Sequence, residues 1–142
     1  MCLYHSKKIE TIEEDVVCYK VFRIKREGLF RKVISSPIID CIWNGKQGEL
    51  GFYAPLFSNS GADVQGRAFH SFKDVDGAVK YAHYLDEYLT KDSNREWMCV
   101  YKCVIPKNTN YLYEGDNCFS VYNEGGWASE KLNIVKCVYK VS

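Results

Sequence analysis

No apolar run in this 142-residue chain approaches the roughly 20 residues that a membrane-spanning helix needs, so the sequence gives no expectation of membrane insertion. An excess of charge of one sign is missing too. Nineteen basic residues against eighteen acidic ones leave a net charge of +1, which does not indicate nucleic acid as a partner. The phosphate-cradling patterns GxGxxG and GxxxxGK followed by Ser or Thr are absent, although glycines stand at 45, 48, 51, 61 and 66. No CxxC occurs, and neither repeat, low-complexity tract nor linker divides the chain. At 46% hydrophobic and 26% charged, residues 1–142 read as a single globular domain that buries about two thirds of its unfolded surface. The opening "MCLYHSKKIE" lacks the apolar stretch of a signal peptide, and seven cysteines are an odd number for a disulfide framework. The expectation is a reducing cytoplasm and free thiols.

What the chain does contain is β-rich sequence around one helical segment. Residues 15–34 hold two runs flanking "REG", in which Val17, Tyr19, Val21 and Arg23 alternate with Cys18, Lys20, Phe22 and Ile24. That pattern predicts a hairpin turning at Gly28. Pro37 interrupts the ladder that follows. Residues 40–66, with "NGKQG" and "SNSGADVQG", read as irregular, with the longest surface loop at 58–65. "RAFHSF" at 67–72 reads as a strand. After it, Val75, Ala78, Val79, Ala82, Leu85 and Leu89 fall at helical spacing, predicting an amphipathic helix over about 74–90. Asp74 is the expected N-cap, Asp76 suits the positive end of the helix dipole, and Gly77 suits a close approach to a sheet. Residues 96–106 form the strongest strand, with Met98, Val100, Lys102 and Val104 on one side and Trp97, Cys99, Tyr101, Cys103 and Ile105 on the other. Short runs at 111–115 and 118–122, a break at "NEGG" and a last strand complete an α+β fold: a mostly antiparallel twisted sheet with one principal helix packed on it.

Candidate chemistry is sparse. Cys99 and Cys103 lie four residues apart on one strand, about 13 Å, too far to share a metal ion, and read as buried thiols. His5, His70 and His83 show no ligand spacing, and the sequence points to no metal. His70, on a strand near the mouth of the helix, is the candidate general base. Tyr81, Tyr84 and Tyr88 fall on one flank of the helix, as packing or as a contact surface for a protein partner. "NEGGWASEK" offers a Gly-Gly pair flanked by Glu124 and Glu130, which serves a tight turn or a close backbone approach to a ligand.

The segments "MCLYHSKK", "EEDVVCYKVFR", "FHSFKDVDGAVKYA", "VYKCVIPKNTNYLYEG" and "ASEKLNIVK" together resemble a family of small, mostly uncharacterised proteins of gut Bacteroides-type bacteria and their phages, over most of the chain. That resemblance implies a mobile-element or phage-type accessory protein. "CYKVFR", "AFHSFKDVDGAVKYA" and "NEGGWASEKLNIV" are also similar to three features of the ADP-ribosyltransferase fold. This second resemblance implies NAD as cofactor, with Arg23 at its phosphates or ribose, Tyr81 in the A-x-x-Y position and Glu124 stabilising an oxocarbenium-like transition state. The His-Gly or Arg-Gly, Ser-Thr-Ser and Glu-x-Glu or Gln-x-Glu motifs of those enzymes are absent.

Two readings result. The first is a non-catalytic binding module, without cofactor, that meets a host or phage macromolecule through residues 58–65 and the aromatic flank of the helix. The alternative is an NAD-dependent transferase using Arg23, His70 and Glu124, which requires the three to converge in one pocket.

Overall fold

The computed structural model describes residues 10–35, 47–49, 69–119, 124–129 and 131–141. Within them run nine strands, β1 (Glu10–Thr11), β2 (Val16–Glu27), β3 (Arg31–Ser35), β4 (Gln47–Glu49), β5 (Phe69–Phe72), β6 (Glu96–Ile105), β7 (Asn110–Phe119), β8 (Glu124–Ser129) and β9 (Lys131–Lys140), and one helix, α1 (Val75–Leu85). All strand pairings are antiparallel, in the order β1-β7-β8-β5-β2-β6-β9-β4, with β3 on β2. The α+β architecture expected from the alternation is therefore the one observed. No described helix is long and apolar enough to cross a membrane.

The hairpin at 15–34 forms as its pattern dictates. Arg23 through Glu27 pair with Ser35 through Arg31, and Gly28 turns the chain at φ 79°, a conformation that costs glycine little. β3 spans Arg31–Ser35, and Pro37 lies outside the described residues. β2 then pairs along its length with β6, from Val16 opposite Ile105 to Lys25 opposite Glu96.

That ladder does not end at the ends of β2 and β6. Ile12 N donates to Thr109 O at 2.9 Å and Asn108 N to Ile12 O at 2.8 Å, and Glu10 pairs with Tyr111 in the same register. β1 and β7 thus prolong β2 and β6 beyond a bend at residues 13–15 and 106–108. Asp15 Oδ1 accepts from Lys107 N at 2.9 Å in the bend, and Asn108 takes φ 67°, which asparagine tolerates. Since β7 pairs with β8, β8 with β5 and β5 with β2, the strands return upon themselves in a roll.

The roll gives the sheet two unlike faces. Its inner face gathers Ile12, Cys18, Phe22, Ile24, Phe69, Cys99, Cys103, Ile105, Leu132 and Ile134. Helix α1 covers the other, setting Ala78, Tyr81, Ala82 and Leu85 on Val21, Phe72, Met98 and Val100. The alternation expected in 96–106 thus sends Met98 and Val100 under the helix and Trp97, Cys99, Tyr101, Cys103 and Ile105 to the roll.

Three expectations are corrected. Residues 47–49, expected within an irregular stretch, form β4 against β9, because Gly48 and its neighbours meet the open edge at Leu132. Within the expected "NEGG" break, Glu124, Gly125 and Gly126 instead begin β8, where Gly126 pairs with Phe72 on one side and Glu114 on the other and Gly125 O accepts from Lys73 N at 2.9 Å. The helix stripe shifts at its end. After Leu85 the helix widens into one π-helical turn, Asp86–Thr90, with Lys91 N bonded to Asp86 O at 2.7 Å, so Thr90 turns inward and Leu89 outward. Asp74 stands at the N-cap with extended backbone but makes no side-chain capping bond, and Gly77 lies on the buried face as its small size suggested.

Candidate functional site

The residues singled out for the transferase reading occupy separate places. Arg23, on β2, donates to Glu96 Oε2 at 2.9 Å across the β2/β6 ladder and is half-buried there. His70, in the middle of β5, is half-buried, and its carbonyl accepts from the buried Lys20 Nζ at 2.8 Å. Tyr81 is a core residue, its ring 5.7 Å from that of Phe72. Glu124 opens β8 opposite Phe119. With His70 opposite Ala128 and Tyr19 opposite Phe72, the backbones of Arg23 and Glu124 stand about six strand positions apart along the sheet, roughly 20 Å, with β5 between them. They do not converge.

An open groove of about 540 Å³ lies where α1 begins, lined by Val17, Tyr19, Lys73, Asp74, Val75 and Asp76. Arg23, His70 and Tyr81 are not among the described residues that line it. His83 is exposed and its Nε2 is 2.6 Å from the Tyr139 hydroxyl, while His5 and residues 58–65 lie outside the described residues.

Cross-strand neighbours that sequence spacing could not reveal are the thiols. Cys18 sits directly opposite Cys103, and Cys99 adjoins Cys137, which pairs with Tyr101 two residues along β6. All four are free. Burial pushes Cys18 from 9.0 up to about 12, against smaller opposing effects of Ser71 and Lys20. Burial also raises Cys99 to about 12, reinforced by the Cys137 thiol, and raises Cys103. Neutral thiols in an apolar interior are poor nucleophiles, so these fill space. Among the described residues no group of His, Cys, Asp and Glu is arranged to hold a metal ion.

The unburied apolar groups are more telling. Tyr81 stacks on Tyr84 at 6.3 Å and 16°, and Tyr84 meets Tyr88 at 4.8 Å. The series starts in the core and runs outward, with Tyr84, Tyr88 and Leu89 exposed. A second exposed pair, Leu29 and Phe30, tips the β2–β3 hairpin.

Comparison with protein-family models, with curated proteins and with solved structures finds no match.

Proposed function

We infer that this protein is a small accessory protein of the phage or mobile-element type, acting as a non-catalytic binding module that meets a protein partner through the flank of α1. The observation that carries this reading is the tyrosine series. Tyr81 anchors it in the core, so Tyr84 and Tyr88 are held in place before any partner arrives, with Leu89 beside them. Aromatic rings held in this way lose little conformational freedom on binding, and tyrosine brings apolar area and a hydroxyl together. The π-helical turn contributes directly by turning Leu89 out of the core and into this surface.

The transferase alternative has weaker support, because its three residues stand on separate parts of the sheet and Arg23 is engaged by Glu96. The test compares wild type with Tyr84→Ala/Tyr88→Ser in affinity capture from a bacterial lysate, with thermal unfolding as the control for folding. Capture of a discrete protein that the double variant loses, at an unchanged melting midpoint, is the expected result. Unfolding with millimolar NAD should show no shift. A ligand present at 100 times its dissociation constant adds about 2.7 kcal/mol, so a rise of several degrees would restore the enzymatic reading.

A further inference from the structure

On the sheet face turned away from α1, one indole ring is surrounded by three cations. Arg26 Cζ lies 5.7 Å, Lys32 Nζ 5.6 Å and Lys140 Nζ 4.7 Å from the ring centroid of Trp97. Strand register explains the convergence. Arg26 pairs with Lys32 across the hairpin, Trp97 pairs with the neighbouring Ile24, and Lys140 pairs with Cys99, two residues beyond Trp97 on the same side of β6. All three cations are exposed. Among the described residues none of them has a carboxylate partner, and the nearby acids are already engaged, Glu27 with Arg31 and Glu96 with Arg23. The face of an indole offsets a positive charge only in part, and three like charges around one ring repel one another. An anion supplies what the arrangement lacks.

The same hairpin carries a second unsatisfied feature. Two residues before Lys32, Phe30 is 97% exposed, with Leu29 at 88% beside it. We propose that the β2–β3 hairpin and Trp97 form a binding site for single-stranded nucleic acid, its phosphates held by Arg26, Lys32 and Lys140 and a base stacked on Phe30. Cations that track a backbone beside an exposed aromatic ring are the two parts such a site requires. A duplex keeps its bases stacked on one another and offers Phe30 no free π-face; an acidic peptide answers the charges but leaves the ring unused. The net charge of +1 is a sum over the whole chain and does not reveal a local cluster of cations. The site faces away from the tyrosine flank, goes beyond the protein-binding reading, and stands or falls separately from it.

The experiment is fluorescence anisotropy of a labelled 20-nucleotide oligothymidylate titrated with the full chain at 50, 100 and 200 mM salt. Arg26→Ala/Lys32→Ala/Lys140→Ala should weaken binding at least tenfold and flatten the slope of log affinity against log salt by about 2, at ~0.7 for each phosphate left without its cation. Phe30→Ala, at a side chain too exposed to matter for folding, should weaken it about fivefold or more with an unchanged slope. Tyr84→Ala/Tyr88→Ser should bind as wild type does. Absence of binding at 50 mM salt with 100 μM protein would overturn the proposal. So would a triple variant or a Phe30→Ala variant that binds like wild type, a duplex of equal length that binds as tightly, or polyglutamate that competes as well as unlabelled oligonucleotide.

Discussion

The two faces of the sheet are buried by different means. On one, an amphipathic helix lays Ala78, Tyr81, Ala82 and Leu85 over Val21, Phe72, Met98 and Val100. On the other, the sheet covers itself, curling so that Cys18, Phe22, Cys103 and Ile105 are enclosed by neighbouring strands. A helix lid is a separable element that can settle onto a smaller side chain. An enclosure of hydrogen-bonded strands cannot contract without breaking its ladders, and it is the more demanding of the two.

The difference predicts unequal responses to truncation. Phe22→Ala, which empties a fully buried position inside the roll, should cost about 3–5 kcal/mol, and Leu85→Ala, under the helix, about 2–3 kcal/mol. Urea unfolding of the two variants measures both. The reverse order would mean that the helix, not the roll, is the rigid partner.

A smaller effect separates the faces by pH, since among the described residues the buried cysteines all belong to the inner one. Cys18 and Cys99 are raised from 9.0 to about 12, and Cys103 is raised as well. Native protein therefore keeps protons that the unfolded chain gives up. The stability tied to these thiols is complete below about pH 9 and is lost as pH climbs toward 12, at up to about 1.4 kcal/mol per pH unit for each thiol. Urea titrations at pH 8 and pH 10.5 should show the loss, and Cys18→Ala should reduce it. An identical pH dependence in Cys18→Ala would show that the Cys18 thiol ionises as freely folded as unfolded.

The smallest effect lies at the end of the helix. Thr90 Oγ1 donates to Asp86 Oδ1 at 2.6 Å inside the π-helical turn, and Thr90→Val should cost about 1 kcal/mol. Leu89→Ala, at a side chain already turned out, should shift stability by less than about 0.5 kcal/mol. A larger loss for Leu89 than for Thr90 would restore the regular helical stripe.

Local pattern made the helix face legible. The β2–β3 hairpin, the two-sided alternation of β6 and most of the α1 stripe follow from period two, period 3.6 and one glycine at a turn. The roll was not legible, because it rests on pairings between distant segments. A Gly-Gly pair has no side chain to show that Gly126 will sit between Phe72 and Glu114, and nothing in "KQG" announces an edge strand. The π-helical turn escaped for a different reason: one extra residue in a turn moves the next apolar position off its face without altering composition. The same limit applied to function. Arg26, Lys32, Trp97 and Lys140 come from three stretches of chain, and only strand register brings them around one ring.

The ladder that runs from β2 and β6 into β1 and β7 joins segments made far apart in time. Val16 finds its partner only when Ile105 has been made, and Glu10 only when Tyr111 has, so this ladder opens to a chain emerging from the ribosome well after the β2–β3 hairpin does. The β2–β3 hairpin closes over a few residues and can form at once. During synthesis β2 therefore waits with one edge held by β3 and the other open, and strands with open edges are the ones that find wrong partners. Lys25, Arg26, Arg31 and Lys32 stand along that hairpin, and charged side chains on a strand edge disfavour pairing with another copy.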